Sequence, residues 1–200
     1  EFDPRELTEA VLKKKYKCVE EIRGHDGVIS CLQVLPDGRI VSGGHDGTLR
    51  VWSRGVDGAW QSEVLEGHTK KVHCLQVPPD GRIVSGGGDG LRIWSRDANG
   101  KWQSEVLEGH SGFVCCLQVL HDGCIVSGGY DDLRIWSRGA DGMWQSEVLE
   151  HTDWVNCLQM LLDGRIVSGD NYGKLSIWSR GADGKWQSEV QEHAGGAYCL

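Results

Sequence analysis

Cys31-Leu32-Gln33-Val34-Leu35-Pro36-Asp37-Gly38-Arg39-Ile40-Val41-Ser42-Gly43-Gly44 is a phrase that the chain writes four times. Its cysteine returns at Cys74, Cys116 and Cys157 and starts again at Cys199, at spacings of 43, 42, 41 and 42 residues. A repeat of that period, built from short apolar runs and Asp-Gly turns, decides the architecture before any single residue does. In the first unit Val28 to Leu35 is a β-rich run that stops at Pro36-Asp37-Gly38. Arg39 to Ser42 reads as a second strand, Thr48 to Trp52 as a third and Trp60 to Glu66 as a fourth. Asp-Gly between alternating apolar runs favours hairpins, because both residues tolerate positive φ. Four antiparallel strands make one twisted sheet that cannot bury both faces alone, so successive units must stack. Radial stacking of four-stranded sheets is a β-propeller.

The totals agree with this all-β reading. The 200 residues are 39% hydrophobic and include 29 glycines, as a turn-rich globular array requires. A net charge of −8 argues against a nucleic-acid partner, since neutralising phosphates needs clustered Lys and Arg. The basic run Lys13-Lys14-Lys15-Tyr16-Lys17 is short and reads as a solvated face. Five of the eight cysteines occupy one apolar-flanked repeat column and behave as small buried hydrophobes. With no Cys-x-x-Cys pair, no signal sequence and no long apolar run, the expectation is a reduced, cytoplasmic protein away from membranes. Ahead of the array, Asp3 as N-cap and Pro4 at the first turn predict a short helix within residues 1–17. The array itself is expected over 18–200, with Cys18 to Arg23 as a lone fourth strand that completes the last blade. The stop in mid-repeat at Leu200 suggests a fragmentary array.

One set of residues recurs with the strands: His25, Ser42, Asp46, Trp52; His68, Ser85, Asp89, Trp94; His110, Ser127, Asp131, Trp136; and His151, Ser168, Trp178. This spaced pattern resembles the WD40 repeat over about nine-tenths of the chain. The resemblance implies a β-propeller of about four blades in which each set forms a hydrogen-bonded tetrad. The chemistry is consistent: an indole N–H only donates, an ionised Asp only accepts, and His and Ser relay between them. There are departures. Trp-Ser replaces the usual Trp-Asp, and Asp-to-Trp shortens from six residues to five in units two and three. Tyr172 stands where the fourth Asp belongs, which predicts a broken tetrad there. Rings of more blades are usual in the family. The chain is therefore expected to be part of a larger ring, to complete one as a homodimer, or to form an open arc.

Repeated His-Ser-Asp sets invite a catalytic reading, but an enzyme needs one converging site, and no Gly-x-Ser-x-Gly elbow is present. No metal is expected, because no ligand set repeats and Cys115 and Cys116 point to opposite faces of a strand. No cofactor is implied. Trp60, Trp102, Trp144 and Trp186 open each fourth strand; they read as packing between blades, or alternatively as one glycan or small-ligand pocket per blade.

Variation between copies is concentrated. The position before the shared cysteine reads Ser30, His73, Cys115, Asn156 and Tyr198, and two residues earlier it reads Val28, Lys71, Phe113, Trp154 and Gly196. The position before the tetrad Asp reads His45, Gly88, Tyr130 and Asn171. Drift would also have altered the exposed Gln-Ser-Glu segments, which are constant. Residues 28 and 30 share one strand side by period two. The resemblance places these columns on the narrow top face, where the family usually binds partners. The expected partner-binding residues are Val28, Ser30, His45, Lys71, His73, Phe113, Cys115, Tyr130, Trp154, Asn156 and Asn171. The expected function is a non-enzymatic module that binds a protein or peptide there.

Overall fold

The computed structural model describes residues 18, 20–130, 132–151 and 153–192. Among them are sixteen strands in four antiparallel sheets, each in plain sequence order, and no helix. The first blade is β1 (Ile29–Val34), β2 (Ile40–Gly44), β3 (Leu49–Arg54) and β4 (Trp60–Leu65). The second is β5 (Val72–Gln76), β6 (Ile83–Gly87), β7 (Gly90–Arg96) and β8 (Trp102–Leu107). The third is β9 (Val114–Val119), β10 (Ile125–Gly129), β11 (Leu133–Arg138) and β12 (Trp144–Leu149). The fourth is β13 (Val155–Met160), β14 (Ile166–Asp170), β15 (Lys174–Arg180) and β16 (Trp186–Glu192). The helix expected within residues 1–17, together with Asp131 and the start of the fifth unit, lies outside the described residues.

The hairpins form where Gly adopts positive φ. Gly38 at +86° closes the first turn with its N–H on the Leu35 carbonyl at 2.9 Å. The shortened Asp-to-Trp spacing leaves the strands in register. Ile83 faces Trp94 as Ile40 faces Trp52, and Ser85 faces Arg92 as Ser42 faces Arg50. The missing residue comes out of the turn, which in the second blade tightens until Gly87 pairs with Gly90, itself at φ +108°. A loop can lose a residue without turning the strand over; a strand cannot.

The core consists of three interfaces between blades. Val41, Leu49, Val51 and Leu65 of the first blade pack on Val72, Leu75, Ile83 and Trp94 of the second. Val84, Leu91, Ile93 and Leu107 repeat this on the third, and Val126, Leu133, Ile135 and Leu149 on the fourth. The second-strand glycine permits the approach. A Cβ on Gly43, Gly86 or Gly128 would lie 2.7, 2.5 or 2.6 Å from a methyl of the valine in the next blade. Gln33 Oε1 accepts the Val77 N–H at 2.9 Å, and Gln76 Oε1 accepts that of Val119 at 2.8 Å, tying inner strands together.

Among the described residues nothing covers the outer face of the first blade. Ile29 of β1 is 47% exposed, whereas Val72, Val114 and Val155 at the same position are at 0%. Leu32 is 64% exposed against 6%, 6% and 9% for Leu75, Leu117 and Leu158. The lone fourth strand expected over Cys18 to Arg23 is corrected accordingly. Among the described residues Cys18 and Glu20–Arg23 form no strand, and the fourth strand of the fourth blade is β16. Glu20 nevertheless bonds Arg54 as Glu63 bonds Arg96, so the segment sits where an outer strand would run.

Candidate functional site

In the first two blades the tetrads are buried relays. Trp52 Nε1 donates to Ser42 Oγ at 2.8 Å, Ser42 Oγ lies 2.7 Å from His25 Nε2, and His25 Nδ1 lies 2.9 Å from Asp46 Oδ2. The second blade repeats this with Trp94, Ser85, His68 and Asp89 at 2.8, 2.8 and 2.6 Å. A serine that accepts from indole has its own O–H left for the imidazole, which then turns its Nδ1–H to the carboxylate. Burial lowers the His68 pKa despite the Asp89 carboxylate beside it, and the neutral ring fits that relay. Burial opposes ionisation of Asp46, but the N–H groups of Thr48 and Asp26 and the His25 ring outweigh it and hold the carboxyl well below the usual carboxylate range. In the third blade Trp136 and His110 both bond Ser127, each at 2.7 Å.

The fourth blade differs. Trp178 still donates to Ser168 at 2.8 Å, but His151 does not join them. Its Nδ1 turns to the Asp153 carbonyl at 3.1 Å, and its buried Nε2 has no partner. Tyr172 supplies no carboxylate to orient the ring. Asp170, buried at the position of Gly44, instead takes the N–H groups of Tyr172 and Lys174 at 2.9 Å each. These serines are sunk in the sheets and engaged by tryptophan, so none presents its hydroxyl to a substrate as a nucleophile.

The variable columns converge at one end of the blades. Backbone bonds hold the start of the inner strand to the turn between the second and third strands: His45 N to Val28 O at 2.9 Å, Gly88 N to Lys71 O at 3.0 Å and Tyr130 N to Phe113 O at 3.0 Å. The inner strands do not keep strict alternation there. The ladder slips between Ile29 and Cys31, between Val72 and Cys74, and between Val155 and Cys157, with the matching slip at Gly128/Gly129 in the third blade. Ser30, His73, Cys115 and Asn156 are therefore bulge residues. The period-two placement of residues 28 and 30 on one side fails, because a bulge puts two residues opposite one and re-aims the side chain.

Five of the expected residues form a continuous strip of rings across all four blades. His45 and His73 centroids are 6.4 Å apart, His73 and Phe113 5.6 Å, Phe113 and Tyr130 5.0 Å. Tyr130 and Trp154 stack at 4.1 Å with planes 9° apart. Tyr130 and Trp154 remain 43% and 44% exposed. Asn156 Nδ2 donates to Asn171 Oδ1 at 3.2 Å beside the strip. Val28 and Ser30 are exposed on the first blade, Cys115 is half-buried, and Lys71 is exposed. Burial first, then the neighbouring basic groups His45, Lys71 and His68, lowers the His73 pKa. Two participants were missed. Lys70 Nζ lies 5.9 Å from the Phe113 ring centroid, and Gly88 makes room for that ring, since a Cβ there would be 2.8 Å from Phe113 Cε1. Gly88 stands in one of the variable columns, and Lys70 directly precedes Lys71 of another.

The fourth-strand tryptophans lie elsewhere. Clefts of about 310, 310 and 270 Å³ open beside Trp186, Trp144 and Trp102. The indole faces there are taken: Arg96 covers Trp102 at 4.6 Å and Arg138 covers Trp144 at 4.7 Å, while the same rings pack against the inter-blade cores. Among the described residues no group of three His, Cys, Asp or Glu could hold a metal ion, and no helix is long and apolar enough to cross a membrane.

The sequence signature described as "WD domain, G-beta repeat" matches residues 16–53, 60–95, 101–137 and 144–179. A stretch of 45 residues, 22% of this chain, is 36% identical to "DENN domain and WD repeat-containing protein SCD1" of Arabidopsis thaliana, of which it spans 4%. Four matched repeats, each reaching into the third strand of one blade, together cover more than half of the chain and leave a single conclusion: the chain belongs to the WD40-repeat family.

Proposed function

We propose that this protein is a non-enzymatic recognition module that binds an extended protein or peptide segment along the aromatic strip of its top face. The observation that carries the reading is the continuity of His45, His73, Phe113, Tyr130 and Trp154 over four blades. From ring to ring the path along it is at most about 21 Å, which an extended chain at about 3.3 Å per residue follows with about six residues or fewer. Aromatic rings with one face free supply large contact area at low entropy cost. Lys70 and Lys71 stand exposed beside the strip on a chain of net charge −8, which favours an acidic side chain in the bound segment. The WD40 family is generally one of interaction scaffolds, which supports the non-enzymatic reading. Burial of the tetrad serines supports it too. We place the protein in a reducing, cytoplasmic setting, a reading supported by the thiols of Cys18, Cys31, Cys74, Cys115, Cys116 and Cys124 standing unoxidised.

Peptides selected from a random displayed library on the wild-type chain test this by fluorescence anisotropy. Tyr130→Ala and Trp154→Ala should each weaken binding about tenfold or more, as loss of a central aromatic anchor does. Trp102→Ala should leave it unchanged. The reverse pattern, with glycan-array binding lost in Trp102→Ala, would transfer the function to the clefts between blades.

A further inference from the structure

At two junctions the chain itself shows what an outer arginine and tryptophan hold between them. Glu63 Oε2 accepts from Arg96 Nη2 at 2.8 Å and from Trp102 Nε1 at 3.2 Å; Glu105 Oε2 accepts from Arg138 Nη2 and Trp144 Nε1, both at 3.2 Å. Arg180 and Trp186 repeat the donor pair on the fourth blade, with the guanidinium 5.3 Å from the ring centroid. Neither donor meets a carboxylate there. Trp186 Nε1 is buried without a hydrogen-bond partner, and among the described residues no acid pairs with Arg180. Glu147, the column mate of Glu63 and Glu105, is exposed and takes neither. Trp60 shares the unbonded indole, but Glu20 holds its Arg54. We propose that the cleft between the third and fourth blades binds a small organic monocarboxylate, gripped by Arg180 and the Trp186 N–H.

The rest of the cleft suits an apolar body with one negative charge. Arg39 of the preceding blade stands across the first cleft and Arg82 across the second, but Cys124 takes that position at the third. With the shorter side chain the third cleft, of about 310 Å³, reaches Leu120 and Ile135, whose counterparts line neither of the others. Burial first, then Asp122, pushes the Cys124 thiol up to about 11 against the pull of Arg180, so a neutral group faces the ligand. Asp163 is held by Arg165 at 2.8 Å, as Asp37 and Asp80 are held by Arg39 and Arg82. Asp122 has cysteine in place of that arginine, and its free charge selects against a dianion. A buried indole donor gains most from an ionised acceptor, since charge-assisted bonds are the stronger kind. The cleft opens at the turn between β9 and β10, the opposite end of the strands from the aromatic strip. No residue of a third blade lines the first two clefts, so a further unit in register leaves this one open.

Titration of the full chain with sodium hexanoate, followed through the indole N–H resonances of its nine tryptophans, tests the proposal. The Trp186 resonance should move saturably, with a dissociation constant on the order of millimolar for so small a ligand. Those of Trp102 and Trp144, already bonded to Glu63 and Glu105, should stay in place. Arg180→Gln should weaken binding about tenfold or more, and hexanamide and succinate should each bind the wild-type chain about tenfold more weakly than hexanoate. Cys124→Arg, which supplies the residue its three column mates carry, should weaken binding with the fold intact. A Trp186 resonance that never moves, or that moves equally in Arg180→Gln, overturns the proposal. So does equal binding of hexanamide or succinate. A Trp186 resonance that shifts on Glu147→Gln as far as that of Trp102 does on Glu63→Gln would show the chain's own carboxylate seated there, and overturns it too.

Discussion

Ser85→Ala removes a hydroxyl that is completely buried and serves two partners. Trp94 Nε1–H donates to it at 2.8 Å, and it lies 2.8 Å from His68 Nε2. The alanine leaves an indole donor and an imidazole acceptor without water or protein to satisfy them. Each orphaned buried group costs about 1–3 kcal/mol, so the substitution should cost about 2–6 kcal/mol. The fourth blade is an internal control, because His151 Nε2 is already unpartnered. Ser168→Ala there breaks only the Trp178 bond and should cost about 1–3 kcal/mol. In a chain of this size a difference of about 2 kcal/mol appears as about 4–8 °C in Tm. Paired calorimetric melts of the two variants read it directly. Equal losses, within about 0.5 kcal/mol, would refute the claim that histidine is a working member of the relay in the second blade and idle in the fourth.

Three further outcomes follow from the packing and the titrating groups. Gly86→Ala puts a Cβ 2.5 Å from a Val114 methyl and 2.7 Å from Cys74 Sγ, and this overpacking should cost about 1–3 kcal/mol in chemical denaturation; a neutral result would contradict the tight blade contact. Burial holds His68, His73 and His151 below the ordinary histidine pKa, so the unfolded chain binds protons that the fold refuses. Stability should be full above about pH 6.5 and decline as pH falls through that value, with Asp46 and Asp89, both lowered, adding a further loss below about pH 4. A Tm flat between about pH 8 and about pH 5 would count against buried neutral imidazoles. Burial pushes the Cys31 thiol up to about 12 and those of Cys74 and Cys116 well above the usual value, so iodoacetamide should label exposed Cys18 first and reach the others only on unfolding, as read by peptide mass mapping.

Strand identity was legible in the sequence because turns and strands are local matters. Asp37-Gly38 and Trp60 mark a hairpin and a strand start, and both appear within a residue or two of where pattern places them. The broken fourth tetrad was legible from Tyr172 alone. The role of Asp170 was not, since a buried carboxylate at a glycine position looks like a surface substitution until the turn around it is built. The bulges were hidden for a similar reason: alternation is a property of an undisturbed ladder, and no residue type announces the slip at Ser30 or His73. Least visible was the uncovered face of the first blade. Ile29 and Leu32 carry the same residue types as their buried counterparts, and whether a neighbour covers them is a matter of the assembly. The aromatic strip lay between these extremes. Its members were found as variable columns, but only the bulge and the space above Gly88 bring their rings into contact.

The bulge has a consequence for how such a protein can change. Its extra residue stands outside the pairing register, so exchanging serine, histidine, cysteine or asparagine there alters what is displayed and leaves the stacking columns of β1, β5, β9 and β13 where they were. Each blade thus offers selection a socket that can be refitted independently, one blade at a time, without reopening the negotiation between neighbouring sheets.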